Sequence, residues 1–355
     1  MKIVQVIPDF GLGGAETMCA NLILELKKFG QEVIVVSLYN HQSPITERLE
    51  KQGVKITYLG KKRGFDLSVL FKLKRILKKE KPDVVHTHTY ASAYGMVAAI
   101  LSGVKKRVHT IHSIAQEENT EAERKIQNLL FKHHHVIPVA LSGLVQKTIA
   151  DVYNISKERI PVVCNGIDLS NCRIKENYAV DGNFKIVHVG RFSPSKNHSG
   201  LIKAFSLFHE KHQNSELWFI GDGPEKQAIE TQVEAVHLAS AIKFFGSQSD
   251  IYGYLHDADV FTLPSNFEGL PMTIIEAMGT GLPIVATSVG GIPDMLKNES
   301  EAILVENDPS KIAEAFERYY LSIDLREAHG RNAILKSKAF SSENMAKGYI
   351  KVYQM

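Results

Sequence analysis

Short runs rich in valine and isoleucine recur along the first half of the chain, with amphipathic segments between them. Six such runs are IVQVIP, EVIVVSL, KITYLG, DVVHTH, RVHTIH and HVIPVAL. Runs that are apolar at nearly every position are typical of parallel strands buried on both faces of a sheet. The segments 14–29, 66–80 and 119–132 between them have helical patterns. The pattern therefore predicts a β-α-β alternation, which is typical of a doubly wound sheet.

The same alternation starts again after the polar stretch SNCRIKENYAVDGN. Six further runs predict strands there: FKIVHVG, ELWFIGDG, IKFFG, DVFTLPS, PIVATSVG and AILVEN. We therefore predict an α/β protein with two Rossmann-like domains, an N-terminal one over 1–168 and a C-terminal one over 169–340. Two such domains would face each other across a cleft at the carboxyl ends of their strands, where open α/β sheets bind ligands.

Composition narrows the class of protein. A chain of 355 residues with 44% apolar and 23% charged residues excludes a single small module, intrinsic disorder, and collagen-like or coiled-coil structure. The net charge of +3 is unevenly divided, since residues 1–170 carry 24 Lys and Arg against 16 Asp and Glu, whereas 171–355 carry 18 against 23. The basic half favours phosphate, nucleic acid or an anionic membrane surface as a partner, and an uneven but solvated surface is the alternative.

Targeting and redox signals are weak. The chain contains no run of 18 apolar residues, and its start, MKIVQVIPDF, lacks the apolar stretch of a signal peptide. The three cysteines, Cys19, Cys164 and Cys172, form no CxxC pair, which argues against a disulfide framework or a zinc ribbon. We expect a cytoplasmic protein.

A glycine-rich turn, Asp9–Glu16, follows the first predicted strand and opens a helix. Exposed amides at a helix start attract phosphate. A dinucleotide fingerprint would need a third glycine where Glu16 stands, and an acidic residue where Tyr39 and Asn40 stand, so a nicotinamide-dependent enzyme is not expected. A tight turn without a ligand is the alternative for this loop.

Four histidines, His86, His88, His109 and His112, lie at or near predicted strand ends. A neutral imidazole can hydrogen-bond a sugar hydroxyl or a phosphate. No acidic or cysteine ligands accompany these histidines at a standard metal-binding spacing, so we do not expect a metal site there.

Two cations follow the strand FKIVHV on one strand-to-helix loop. Arg191 comes directly after Gly190, and Lys196 stands at the start of the next helix. An Arg and a Lys placed at a nucleoside diphosphate leaving group would stabilise its developing charge without a metal. Two solvated loop cations are the alternative.

The segment EGLPMTIIEAMG places two carboxylates near one another. Glu268 lies on a loop, and Glu276 lies about two turns into the following helix. Gly269 permits close backbone approach, Pro271 suits a first helical turn, and the free amides at Leu270–Thr273 would point towards a ligand. Carboxylates bind sugar hydroxyls well because each oxygen accepts from an O–H.

These residues together resemble the retaining glycosyltransferases of the GT-B fold, family 4, over essentially the whole chain. The family's E-x(7)-E motif is met by Glu268 and Glu276, its GxGG-type loop by Gly13 and Gly14, and its Arg/Lys pair by Arg191 and Lys196. The segments GDGP, NGID and SVGG are also similar to family segments. In this architecture the closing segment, about 341–355, is a helix that crosses back to the first domain.

The resemblance implies a role for each matched residue. Arg191 and Lys196 would hold the donor diphosphate, Glu276 the ribose, and Glu268 the transferred sugar, and His112 would reach the donor hexose. Backbone amides near the phosphates or sugar, and loops lining the base pocket, complete the implied donor site: Gly13, Gly14, Gly190, Gly221, Asp222, Gly246, Gly269, Leu270, Met272 and Thr273.

The implied activity is transfer of a hexose or N-acetylhexosamine from a nucleotide sugar, with UDP favoured by family frequency, to a glycan or lipid-linked saccharide acceptor in cell-surface polysaccharide biosynthesis. Such transfer retains the anomeric configuration and depends on positioning and charge stabilisation. The alternatives are a sugar-nucleotide sensor without turnover and a GT-B epimerase or phosphorylase. Both charged pairs are present, which argues against a sensor, and no pyridoxal-phosphate lysine motif is recognisable.

The tripeptide Asp257-Ala258-Asp259 spells DxD, a metal-binding signature of another glycosyltransferase fold. Here it precedes a predicted buried strand, outside the nucleotide loop. We therefore expect a helix end there, and activity without a metal or any other cofactor.

The segment from Lys61 to Lys81 contains nine Lys and Arg, opposed only by Asp66 and Glu80. Its apolar helical stripe predicts a helix that packs on the first sheet with its lysines outside. A solvated face is one interpretation, and adsorption to anionic lipid at the inner face of the plasma membrane is the other. Nucleic acid is not expected as a partner, because no aromatic interleaving or recognition motif accompanies the charge.

Overall fold

The computed structural model describes residues 1–11, 13–118 and 120–355. Leu12 of the glycine-rich turn, and Asn119, where the sequence pattern starts the helical segment 119–132, lie outside the described residues. The chain divides into two compact units, one formed by Met1–Gly166 with Ser342–Met355, the other by Ile167–Ser341.

The first unit contains a six-stranded parallel sheet. Its strands are β1 (Lys2–Ile7), β2 (Glu32–Ser37), β3 (Lys55–Tyr58), β4 (Val84–His88), β5 (Lys106–Ile111) and β6 (Val136–Ala140). They are ordered β3-β2-β1-β4-β5-β6. Most positions of β1, β2 and β4 are buried, as expected for strands covered by helices on both faces.

Among the described residues, seven α-helices connect or follow these strands. They are α1 (Gly14–Lys28), α2 (Pro44–Lys51), α3 (Leu67–Glu80), α4 (Ser92–Leu101), α5 (Ala115–Glu118), α6 (Glu121–His133) and α7 (Gly143–Tyr153). Side-chain oxygens of Ser43, Asp66, Thr120 and Ser142 cap α2, α3, α6 and α7 by accepting from backbone amides of the first turn. These caps satisfy amides that have no partner within the helix, which explains where the helices begin.

The second unit repeats this architecture. Its strands are β7 (Phe184–Val189), β8 (Ser215–Ile220), β9 (Ile242–Phe244), β10 (Val260–Leu263), β11 (Ile284–Thr287) and β12 (Ala302–Val305). Its helices are α8 (His198–Lys211), α9 (Lys226–Ala235), α10 (Tyr252–Asp257), α11 (Met272–Thr280), α12 (Ile292–Met295), α13 (Pro309–Leu321) and α14 (Ile323–Ser337). The parallel sheet is ordered β12-β11-β10-β7-β8-β9.

Both sheets have the Rossmann strand order when the strands are counted within their own unit. The predicted α/β class with two Rossmann-like domains is confirmed. In each sheet the order reverses beside the first strand, between β1 and β4 in one unit and between β7 and β10 in the other. Ligands of such sheets bind beyond the carboxyl ends of the strands at this switch point.

The last helix, α15 (Ser342–Gln354), belongs to the first unit. It buries Tyr349 and Tyr353 completely. The Ser342 hydroxyl donates to the Glu25 carboxylate of α1 at 3.1 Å, and Lys106 Nζ of β5 donates to the carbonyl of Tyr353 at 2.6 Å. The end of the chain is thus integrated into the core of the unit that its beginning forms.

Within the described ranges, every helix is too short or too polar to cross a lipid bilayer.

Candidate active site

The loop after β7 carries the two predicted cations at the switch point of the second sheet. Arg191 is exposed, whereas Lys196 ends a 3₁₀ turn at Pro194–Lys196 and has a largely buried side chain. The aliphatic part of Lys196 lies over Gly190, where an added Cβ would come within 3.5 Å of its Cδ and Cε. Asn197, in the left-handed conformation, then caps α8 by accepting from the amide of Gly200 at 3.2 Å. This tight sequence of turns places Lys196 beside the strand end.

Glu268 lies on the loop after β10, and its carboxylate meets Lys196. Lys196 Nζ lies 2.5 Å from Glu268 Oε1, and both side chains are largely buried. The hydroxyl of Ser265 donates to the same oxygen at 2.6 Å. Because β7 and β10 are neighbours in the sheet, two residues 72 positions apart in sequence form one buried ion pair.

Backbone contacts hold the two loops together. The amide of Asn266 donates to the carbonyl of Ser195 at 2.8 Å, and the Asn266 side chain donates to the carbonyl of Pro194 at 2.6 Å. The Asn197 side chain donates to the carbonyl of Pro264 at 3.2 Å. These bonds fix the relative position of the cation loop and the Glu268 loop.

Gly290 supports Glu268 from the loop after β11, a contact that sequence reasoning missed. Its φ is +58°, and an added Cβ would lie 1.8 Å from the carbonyl oxygen of Glu268. Only glycine fits this position. The segment SVGG was noted as similar to family segments, but its spacing alone does not reveal which loop it touches.

Glu276 is a buried carboxylate on α11. Burial raises its pKa from 4.5 to about 7, and within the described ranges its side chain makes no hydrogen bond or ion pair. Glu276 faces Cys172, because Gly279, one turn further along α11, lies against Cys172 Sγ. The pKa of the Cys172 thiol is raised to about 12, mainly by burial and in addition by the nearby charge of Glu276. The start of α11 follows Pro271, Met272 is buried there, and the Thr273 hydroxyl is buried without a partner in the described part of the chain.

Three of the predicted donor glycines meet at adjacent strand ends. The amide of Gly221, after β8, donates to the carbonyl of Gly246, after β9, at 2.8 Å. Gly221 has a φ of +143°, and an added Cβ would lie 2.0 Å from the carbonyl oxygen of Gly190. Asp222 is exposed, and its carbonyl accepts from the amide of Phe192 at 3.0 Å. Gly190, Gly221 and Gly246 therefore line one edge of the second sheet, with Asp222 beside them.

Two buried histidines that sequence reasoning missed lie beneath the cation loop. His188 Nδ1 donates to the carbonyl of Thr262 at 2.9 Å, and the ring of His198 stacks on Phe192 with centroids 4.1 Å apart. Burial, with a contribution from the Lys196 charge, lowers the pKa of His188 to about 4 and that of His198 to about 2. Both rings are therefore neutral at neutral pH, and they add no positive charge beneath Lys196.

The predicted residues of the first unit lie at the corresponding edge of its sheet. Gly13 is extended and Gly14 is the first residue of α1, directly after β1, while His112 follows β5. Strand β4 separates β1 from β5, and its last residue, His88, contacts the ring of His112 through Nδ1 at 3.0 Å from Nε2. Burial lowers the pKa of His112 to about 3, so its imidazole is neutral.

Glu118, beside His112, was not singled out from the sequence. Its carboxyl accepts from the amide of Ser113 at 3.2 Å, and burial raises its pKa from 4.5 to about 8. At neutral pH this group is mostly protonated. Nothing in its sequence context, an acidic run in a short helix, marks it as buried.

The second aspartate of the DxD tripeptide makes a structural contact. Asp257 ends α10, and the buried Asp259 accepts from the amide of Lys185 through Oδ2 at 2.8 Å. Across residues 1–11, 13–118 and 120–355, no group of three or more His, Cys, Asp or Glu side chains is arranged to hold a metal ion.

Two family models together match nearly the whole chain. Glycosyltransferase Family 4 matches residues 12–171, and Glycosyl transferases group 1 matches residues 173–336.

Two curated bacterial proteins illustrate the sequence relationship. The UDP-Gal:alpha-D-GlcNAc-diphosphoundecaprenol alpha-1,3-galactosyltransferase of Escherichia coli is 30% identical over 71% of this chain and 70% of its own length. The putative glycosyltransferase EpsF of Bacillus subtilis is 27% identical over 80% of this chain and 78% of its own length.

Solved structures share the fold over the whole chain. HepE of Anabaena, crystallised with UDP and glucose, superposes with a TM-score of 0.88 and 18% identity, covering 100% of this chain and 99% of its own. A glycosyltransferase from Rickettsia africae has a TM-score of 0.83 and 21% identity, covering 99% of this chain and 97% of its own.

Proposed function

Because this chain belongs to the glycosyl transferases group 1 and has the GT-B fold, we propose that it is a retaining hexosyltransferase that works without a metal ion. Its donor is a hexose or N-acetylhexosamine carried on UDP, and its acceptor is a glycan or lipid-linked saccharide of a cell-surface polysaccharide. The observation that carries the proposal is the Lys196–Glu268 pair, with Arg191 exposed beside it at the switch point of the second sheet.

In this proposal each charged group of the second unit has one task. Arg191 and Lys196 bind the donor diphosphate, and Glu276 accepts hydrogen bonds from the ribose hydroxyls. Within the described residues, both contacts of the Glu268 carboxylate are made by Oε1, so Oε2 is left to accept from a hydroxyl of the transferred sugar. The Lys196 contact orients Glu268 before the donor arrives, which lowers the cost of ordering the site.

The reaction then needs no protein nucleophile. As the bond between the anomeric carbon and the phosphate oxygen breaks, Arg191 and Lys196 stabilise the negative charge that develops on the diphosphate. The acceptor hydroxyl attacks the same face of the sugar, and the departing phosphate oxygen takes its proton. The products are the glycosylated acceptor and UDP, with the anomeric configuration retained.

The choice of UDP is supported by the names of related proteins. The Escherichia coli relative is named for UDP-galactose, and HepE was crystallised with UDP. We expect UDP to raise the thermal unfolding midpoint of this protein more than GDP or ADP does at the same concentration, because a ligand that binds the folded state stabilises it by mass action. A larger shift with GDP or ADP would contradict the choice of base.

The central test replaces Glu268 by alanine. We expect turnover of the donor to fall at least about a hundredfold, because the transition state loses a positioned carboxylate, while UDP affinity changes little. Glu314→Ala, an exposed carboxylate on α13, is the matched control and should leave both unchanged. If the wild-type protein binds UDP-sugars but turns none over with any glycan or lipid-linked acceptor, it is a sensor and the transferase proposal is wrong.

Metal independence is supported by the structural use of Asp259, whose carboxylate accepts from the backbone of β7. We expect full turnover in excess chelator. Loss of turnover that Mn²⁺ or Mg²⁺ restores would contradict this part of the proposal.

We also propose that the protein works at the inner face of the plasma membrane, through a surface of the first unit that we term the α3 patch. It consists of Phe65, Leu67 and Phe71, which are 79%, 51% and 61% exposed, and of the exposed bases around them. Those basic residues are Lys62, Arg63, Lys72, Arg75, Lys78 and Lys79. Exposed aromatic and aliphatic side chains within a basic surface suit the headgroup region of an anionic bilayer.

A further inference from the structure

A chain of hydrogen bonds links His112, at the end of β5, to the buried side of α15. His112 Nε2 lies 3.0 Å from His88 Nδ1, and His88 Nε2 lies 2.9 Å from Gln5 Oε1. The Gln5 amide nitrogen then donates to Tyr353 Oη at 3.2 Å. Gln5, His88 and Tyr353 are all completely buried, so water does not compete for these bonds.

The series of hydrogen bonds continues beyond Tyr353 to a third histidine. Tyr353 Oη lies 2.8 Å from His86 Nδ1, and His86 Nε2 lies 2.7 Å from Thr110 Oγ1. Thr110 Oγ1 lies 2.8 Å from the hydroxyl of Tyr349, one turn before Tyr353 on α15. Side chains from three adjacent strands and the last helix thus form one continuous series.

The three histidines of this series are neutral, because burial lowers the pKa of His86, His88 and His112. A neutral imidazole has one N–H donor and one bare acceptor nitrogen, so each ring has a definite tautomer. That tautomer is set by the partner that can only donate or only accept.

Gln5 determines which group donates and which accepts in each hydrogen bond of the series. Its carbonyl oxygen can only accept, so the proton of His88 is on Nε2 and Nδ1 is bare. His112 must then donate to that bare nitrogen through its own Nε2–H. On the other side the Gln5 amide donates to Tyr353, whose hydroxyl donates to His86 Nδ1. Reversing the Gln5 amide would reverse every one of these bonds together.

We propose that Gln5 and Tyr353 are positioning residues that hold His112 in the Nε2–H tautomer. The Nδ1 atom of His112, which has no hydrogen-bond partner among the described residues, is then an obligatory acceptor. An acceptor nitrogen binds a hydroxyl and rejects a phosphate oxygen, which has no hydrogen to give. On the proposed function, His112 therefore accepts from a hydroxyl of the donor sugar rather than contacting the diphosphate, and the last helix helps to set this specificity.

Nitrogen NMR of the unliganded protein tests the tautomers directly. In protein labelled with ¹⁵N-histidine, two-bond correlations distinguish a protonated ring nitrogen from a bare one, and His112→Asn assigns the His112 signals among the 15 histidines. We expect a protonated Nε2 and a bare Nδ1 for His112 and His88. A protonated Nδ1 on His112 overturns the proposal, and this measurement needs no variant of the buried network.

Tyr353→Phe and Gln5→Met test the positioning. Tyr353→Phe removes the hydroxyl that holds the Gln5 amide, and Gln5→Met removes the carbonyl that accepts from His88. In both variants we expect the nitrogen shifts of His112 to move towards values averaged over both tautomers. Tyr153→Phe is the matched control, because Tyr153 is a buried tyrosine of the same unit that donates to Gln127, outside this chain of bonds. Unchanged His112 tautomers in the first two variants overturn the role of Gln5 and Tyr353.

A kinetic readout links the tautomer to the donor. We expect KM for the UDP-sugar to rise about fivefold to tenfold in Tyr353→Phe, the loss of one hydrogen bond, while UDP affinity stays unchanged. A shifted tautomer without a KM change overturns the contact with the sugar hydroxyl. Expected tautomers in a protein that turns over no UDP-sugar would refute the proposed function and leave the positioning intact.

Discussion

At the scale of single residues, the second unit keeps a carboxylate where burial disfavours its charge. Glu276 is buried on α11, and burial raises its pKa from 4.5 to about 7. A charged group without a partner in an apolar site is costly, and such sites are typical of binding and catalytic residues. We therefore attribute the loss of stability caused by the buried Glu276 carboxylate to its proposed role in binding the ribose.

The pH dependence of stability follows from that pKa. Between pH 4.5 and about 7 the unfolded chain has lost the Glu276 proton while the folded chain still holds it, so the free energy of unfolding falls as pH rises through this range. Replacing Glu276 by glutamine removes this loss, and above pH 7 the variant should be more stable by about 3 kcal/mol. Guanidinium unfolding followed by the fluorescence of Trp218, the single tryptophan, reports on the second unit.

Glu314→Gln, at the exposed carboxylate on α13, is the control and should leave the pH dependence unchanged. Equal stability of Glu276→Gln and the wild type at every pH would show that the site solvates the charge.

At the scale of elements, α3 separates two kinds of apolar residue. Val69, Leu73 and Leu77 are buried in the first core, as the helical stripe predicts. Leu67 and Phe71 lie one turn apart on the opposite face, exposed among lysines. The inner stripe explains the stability of the helix, whereas more than half of each residue of the outer pair is exposed.

The outer pair should matter for membrane binding. We expect the wild-type protein to sediment with vesicles that contain phosphatidylglycerol and not with phosphatidylcholine alone. Each Lys or Arg side chain near an anionic surface contributes about 1 kcal/mol to membrane binding. The double change Leu67→Ser and Phe71→Ser should reduce binding several-fold without loss of thermal stability. Leu335→Ser, at a leucine of the second unit that is 64% exposed, is the control. Equal sedimentation with both lipids would refute the α3 patch.

The alternation of strands and helices was predictable because buried parallel strands need apolar side chains at nearly every position, as β1 and β2 show. The pairing of Lys196 with Glu268 was not, since it depends on β7 and β10 being neighbours in the sheet. Nor does local sequence show that His88 and Gln5 face each other. Contacts that depend on the order of the strands in the sheet cannot be predicted from the pattern of a single segment.

At the scale of the whole molecule, the first unit is built from two distant pieces of the chain. Its second piece, α15, supplies the buried rings of Tyr349 and Tyr353. The second unit, Ile167–Ser341, is continuous and needs no segment from elsewhere. The two units therefore depend differently on the end of the chain.

Removing residues 342–355 should destabilise the first unit alone. We expect limited proteolysis of the shortened chain to degrade residues 1–166 and to leave a resistant fragment near 167–341, because losing several buried side chains costs about 2–5 kcal/mol for each large one. Circular dichroism and mass spectrometry of the fragment would check this. A first unit that stays resistant to protease would show that α15 is dispensable for its fold.

The position of α15 also sets an order of events during synthesis on the ribosome. Residues 167–341 leave the ribosome before α15 does, so the second unit has all of its residues available earlier, whereas the first unit must wait for α15 to emerge. The amino-terminal unit is therefore the last to be finished. Until then it leaves exposed the apolar surface of α1 that α15 covers, and a nascent chain stalled before α15 emerges would be a substrate for chaperones.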